Sequence, residues 1–80
     1  MNGIKTIDSK FYKLLGSCVR QKRLDKGYKL DGMAKRLGIS KQAYDYIELG
    51  LTKIKPKVWD EICEILDIYP DIEIKLKIGL

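Results

Sequence analysis

The side chains best equipped for chemistry are Lys41, Gln42, Asp45 and Tyr46, which follow closely on Ser40. Gln42 and Tyr46 stand four residues apart, the spacing of neighbours on one helix face. An ammonium, an amide, a carboxylate and a phenol can donate and accept hydrogen bonds, but they do not assemble a nucleophile with its base. The chain has no histidine and only two cysteines, Cys18 and Cys63, and it lacks a Gly-rich phosphate loop. A structural zinc site normally takes four Cys or His ligands, so no metal is expected, and no cofactor is implied. The chemistry on offer is recognition, and an enzyme is not expected. Lys29, Lys53 and Lys55 flank these residues, and the net charge of +5 favours a polyanionic partner.

Such residues need a rigid scaffold, and the stretch from Leu30 to Gly50 reads as one. Two short helices meet at the turn Leu37-Gly38-Ile39-Ser40. That is the core of a helix-turn-helix, whose second helix lies in the DNA major groove. Met33, Ala34 and Leu37 are the buried side of the first of these helices, Leu30 to Leu37. Gly38 allows the backbone to reverse, and Ser40 caps the next helix by accepting a free backbone N–H. That helix runs to about Leu49, with Tyr44 and Ile47 inward and Lys41, Gln42, Asp45 and Tyr46 outward.

Two further helices flank this pair. One begins at Asp8 or Ser9, both good N-caps, and continues to about Lys26. Phe11, Leu14, Leu15, Cys18 and Val19 recur at helical spacing and are expected to face the core. Gly27 follows as a C-cap, and Tyr28 packs inward. After a loop from Leu51 to Lys55, Pro56 opens the last helix, which reaches about Asp67 with Trp59, Ile62, Cys63 and Leu66 inward. Both cysteines read as reduced core residues of a cytoplasmic protein. No apolar run approaches the ~18 residues of a membrane span, and the N-terminus does not begin as a secretory signal. A single domain over 1–80, with a helical core at 8–68, is expected.

From Asp71 onward the period changes. Ile72, Ile74, Leu76 and Ile78 alternate with Glu73, Lys75 and Lys77, a half-buried strand over 71–79. A lone strand needs a partner. Paired antiparallel with its own copy about Lys75, it sets Ile72 against Ile78, Ile74 against Leu76 and Glu73 against Lys77, which makes a homodimer. Gly3 to Ile7 as a short N-terminal strand, another protein, or the core itself are the other candidates for what it pairs with or covers.

Leu15-Gly16, Val19, Arg23, Gly27, Met33-Ala34, Leu37-Gly38-Ile39-Ser40, Ile47-Glu48, Gly50 and Leu66 with Ile68 together resemble the lambda-repressor-like helix-turn-helix domain of phage Cro and repressor proteins. The resemblance implies a mainly α, four-helix domain that binds specific double-stranded DNA, usually as a dimer on a near-palindromic operator, and usually represses transcription. It also implies that Arg23 and Glu48 form an internal ion pair joining the first helix to the end of the third, with Arg23 near the DNA phosphates. Leu30 stands where relatives often place a phosphate-holding glutamine, Lys29 where a polar cap is common, and Ile54 where many carry a proline. The strand-like ending is closer to Cro proteins that dimerise through a C-terminal strand.

On this reading Gln42 pairs bidentately with adenine N6 and N7, and Lys41 donates to guanine O6 and N7 or to a phosphate. Tyr46 meets a thymine methyl or donates its hydroxyl to a phosphate, and Asp45 accepts from cytosine N4. Lys29, Ser40, Lys53, Lys55 and Arg23 contact phosphates, which position the protein without reading sequence. The alternative for Lys41 and Gln42 is an ordinary solvated helix face. The competing function is an antitoxin-like interaction module whose tail adds a strand to a partner's sheet.

Overall fold

The computed structural model describes residues 2–68, with side chains from Ser9 onward. The expected strand at 71–79, with Ile72, Ile74, Leu76 and Ile78, lies outside the described residues. Four helices make up the described part: α1 (Asn2–Asp25), α2 (Leu30–Leu37), α3 (Lys41–Leu49) and α4 (Pro56–Leu66). No strand occurs among the described residues. The short N-terminal strand at Gly3 to Ile7 is therefore corrected: those residues belong to α1. So is the start at Asp8 or Ser9. The capping preference of Asp and Ser is worth only about 1 kcal/mol, and no proline interrupts the chain before them.

The turn between α2 and α3 follows from two residues. Gly38 adopts φ 70° and ψ 29°, a left-handed conformation that costs least without a Cβ. Its N–H donates to the Lys35 carbonyl at 3.1 Å and the Ile39 N–H donates to the Ala34 carbonyl at 3.1 Å, closing the helix end. Ser40 then returns to extended backbone, and its Oγ accepts from the Ala43 N–H at 3.0 Å. The same pair of closing bonds recurs at the ends of α1 and α3.

The core draws on every helix: Tyr12, Leu15 and Val19; Met33, Ala34 and Leu37; Tyr44 and Ile47; Trp59, Ile62, Cys63 and Leu66, with Ile54 from the loop before α4. On α1 the buried face differs from the expected one. Leu14 is 74% exposed and Cys18 is exposed, whereas Tyr12 is buried. Gly16 explains the rotation. A Cβ there would lie 2.5 Å from the Glu48 carbonyl oxygen and would also strike the Ile47 carbonyl. The backbone of α1 thus rests directly on the C-terminal carbonyls of α3, and Gly16 must face inward. Tyr12, Leu15, Val19 and Arg23 share that side, which turns Leu14 and Cys18 outward. Phe11 stays half-buried, edge-on to Tyr12 with ring centroids 5.1 Å apart.

One polar cluster joins these helices. Arg23 on α1 donates from Nε to Glu48 Oε2 at 2.6 Å and from Nη2 to Oε1 at 3.2 Å, a fork that matches the carboxylate. Its Nη1 donates to the Tyr28 carbonyl at 2.8 Å, and the Tyr44 hydroxyl donates to Glu48 Oε2. Arg23 and Glu48 are each only 7% exposed. The bond to Glu48 raises the Arg23 pKa, against the opposing effect of burial. Burial first, and then the bond to Glu48, push the Tyr44 phenol well above its ordinary 10.0.

The two helical glycines should respond oppositely to alanine. Gly32 has open space around it, so Gly32→Ala should stabilise by up to about 1 kcal/mol through helix propensity. Gly16→Ala gains the same propensity but drives a methyl into backbone, and overpacking of about 1–3 kcal/mol or more should dominate. Urea midpoints of the two variants measure the contrast.

Stability should fall as the solution becomes alkaline. Below pH 10 the Tyr44 phenol is neutral in both folded and unfolded chains; above it only the unfolded chain ionises, so folding weakens as pH rises. Tyr44→Phe should cost roughly 1.5–3 kcal/mol near neutrality, the range for a hydrogen bond to a charged group. The gap to the parent chain should narrow once pH climbs past 10. Denaturant titrations of both proteins across that range test this.

Candidate nucleic-acid interface

Only one side of α3 packs into the core. Tyr44, Ile47 and Glu48 point inward, while Lys41, Gln42, Ala43 and Tyr46 are exposed and Asp45 is half-buried. The helix is nine residues long and is fixed at both ends, by the Ser40 cap and by Gly50. A Cβ at Gly50 would lie 2.5 Å from Lys13 Cα, so α1 presses against the end of α3 as well as against its side. The outward side chains are therefore carried on a helix with little freedom to shift.

Two of them are also oriented by neighbours. Gln42 Nε2 donates to the Tyr46 hydroxyl at 3.1 Å, along the face of α3. Lys41 Nζ lies 3.4 Å from Asp31 Oδ1 on α2, with both side chains about two-thirds exposed. An exposed pair of this kind adds little stability. The two residues border an open groove of about 230 Å³ over the turn, also lined by Ala34, Lys35 and Ile39.

The expected phosphate contacts divide. Lys29 is exposed at the N-cap of α2 and makes no side-chain cap bond. Lys53 is exposed in the loop after α3, and Lys55 is exposed at the N-cap of α4. Ser40 is exposed, with its hydroxyl engaged by Ala43. Arg23 is different: its guanidinium donates inward from Nε, Nη1 and Nη2, so its geometry is that of a brace. Leu30 packs half-buried against the core.

Sequence reasoning missed Asp31 as the partner of Lys41 and Tyr44 as the third member of the Arg23–Glu48 cluster. Tyr44 had a signal, its four-residue spacing to Glu48 on α3. Asp31 had none, since it meets Lys41 across two helices. Among the described residues no group of three His, Cys, Asp or Glu side chains could hold a metal ion, and no helix is long and apolar enough to cross a membrane.

A family model described as helix-turn-helix, HTH_3, matches residues 19–72. Comparisons with curated proteins and with solved structures gave no significant match. The match spans more than half of the chain and takes in α2, the Gly38 turn and α3 together, so this chain belongs to the lambda-repressor-like helix-turn-helix family, a family of DNA-binding transcription regulators.

Proposed function

We propose that the protein is a sequence-specific transcriptional regulator, a Cro-like or phage-type repressor that binds a near-palindromic operator as a dimer. The observation that carries this reading is the two-sided character of α3. One side is locked into the core through Tyr44, Ile47 and Glu48, and the other presents Lys41, Gln42 and Tyr46 to solvent. Any amphipathic surface helix is packed on one side, but here the exposed side also carries an ammonium, an amide and a phenol, groups that can hydrogen-bond to base edges or phosphates. A helix that enters the major groove needs both, because base readout depends on side chains placed to within hydrogen-bonding distance.

In this reading Gln42 and Lys41 meet base edges, and Lys29, Lys53 and Lys55 neutralise phosphates on either side. Asp45 is half-buried and carries a charge that phosphates repel, so its contact with a cytosine is the least favoured among those of Lys41, Gln42, Asp45 and Tyr46. The dimer rests on the self-complementary sequence from Ile72 to Ile78. Two copies would place their α3 helices about one DNA turn apart, roughly 34 Å.

Selection of duplexes from a random pool should return a near-palindromic motif whose affinity drops steeply with salt. Lys53→Ala should weaken binding to all sequences alike and lower the salt slope by about 1. Gln42→Ala should instead relax preference at one position in each half-site. Equal, weak binding to every duplex would remove sequence recognition from the proposal.

Truncation after Pro70 should leave a monomer in sedimentation and reduce operator affinity sharply while half-site preference persists. An unchanged dimer would move the interface elsewhere, and a stable complex with a co-expressed protein in place of self-association would favour the antitoxin-like module.

A further inference from the structure

We propose that Tyr46 is a positioning residue for Gln42, and that it makes this glutamine a reader of adenine that rejects guanine. The inference rests on the reading of α3 as the DNA-facing helix and adds a specificity mechanism to it.

A glutamine amide has two N–H donors and one carbonyl oxygen. In this structure Nε2 donates one of its hydrogens to the Tyr46 hydroxyl at 3.1 Å. With the hydrogen trans to Oε1 held by Tyr46, the other N–H is left beside Oε1 in the amide plane. Adenine presents an acceptor at N7 and a donor at N6 in the major groove, which that remaining pair matches. Guanine presents two acceptors, N7 and O6. To satisfy both, the amide would have to supply a second donor, and the hydrogen it would use is already held by Tyr46. Its Oε1 would then face O6, lone pair against lone pair.

An unheld glutamine has no such bias. Its amide can rotate and present donors or an acceptor to whichever base lies opposite, so its preference between purines is weaker. Tyr46 is suited to the holding role because it sits one helical turn beyond Gln42 on the same face. Its position is fixed on the same short helix, which is anchored through Tyr44, Ile47 and Glu48. The bond lies on an exposed surface, where its contribution to folding is small, so its consequence falls on the orientation of the amide. Lys41 beside it lies 3.4 Å from Asp31 on α2.

The test uses the full chain, the duplex it selects from a random pool, and the same duplex with guanine at the position that Gln42→Ala relaxes. Tyr46→Phe keeps the ring and removes the hydroxyl. It should reduce the preference for adenine over guanine at that position by roughly tenfold, within the range a bidentate contact supplies. Preferences at the other positions should stay as they were. In the Gln42→Ala background, adding Tyr46→Phe should change nothing, because the tyrosine acts through the glutamine. Thermal melts of the variants confirm that folding is retained. An unchanged adenine-to-guanine ratio in Tyr46→Phe overturns the proposal while leaving DNA reading intact. So does a uniform loss of affinity that persists in the Gln42→Ala background, which is the signature of a phosphate donor. A parent chain that selects no sequence overturns the proposal together with the reading beneath it.

Discussion

The buried fork between Arg23 and Glu48 is the constraint on which the other features depend. It joins α1 to the last turn of α3, and through Nη1 it also holds the Tyr28 carbonyl between α1 and α2. Removal of one partner from a buried pair typically costs about 3–5 kcal/mol, because a charge is left without compensation. Its contribution to geometry is separate from that cost. Apolar neighbours such as Ile47 and Val19 tolerate a small slide or rotation of one helix on another. A two-pronged bond between a guanidinium and a carboxylate does not. The close approach at Gly16 sets how near the helices lie, and the fork sets how α3 is turned about its own axis.

That rotation has consequences on both sides of α3. Inside, Tyr44 and Glu48 are four residues apart and share a hydrogen bond in the core. Outside, Gln42 and Tyr46 are also four apart and share one in solvent. The two pairs are offset by two residues, so they occupy opposite sides of the helix, about 200° apart at 3.6 residues per turn. The inner pair fixes the helix to the protein. The outer pair places an amide relative to the helix. Orientation therefore passes from the core to the exposed surface through one short, rigid element.

The sequence made the centre of this arrangement legible and its edges much less so. Met33, Ala34, Leu37, Gly38 and Ser40 each have one dominant physical role, and the structure uses each in that role. Leu14 and Cys18 are the contrary case. Apolar periodicity marks a stripe on α1, but the stripe was broad enough to fit two rotations about 100° apart. Only the contact of Gly16 with the α3 backbone selects between them, and that contact is tertiary. Ile54, only 2% exposed, sits in a loop where no periodicity exists to mark it as core. Asp8 and Ser9 do not mark the start of α1, because residues that suit a helix cap are also tolerated inside a helix. On the exposed face, Gln42 and Tyr46 were identifiable by type and spacing. Their bond to each other was not, since the same residues at the same spacing could equally point apart.

Leu30 shows how a departure from the family pattern is absorbed. The helix it opens has only eight residues, its Lys29 N-cap makes no side-chain bond, and Gly32 lies in its interior. A missing cap costs about 0.5–2 kcal/mol and a helical glycine about 1 relative to alanine. Alone, so short a segment would not hold a helix. Tertiary packing through Met33, Ala34 and Leu37 must outweigh those costs, and Leu30 adds apolar contact at the end where the cap is weakest. A glutamine in its place would leave that end of α2 with less to pack against. The side chain that relatives often use toward a phosphate is here used to hold α2 against the core. Phosphate binding in the proposed complex then falls to Lys29, Lys53 and Lys55, whose ammonium groups supply charge without the fixed geometry of an amide. Geometric discrimination in that proposed complex is left to α3, which is capped at both ends.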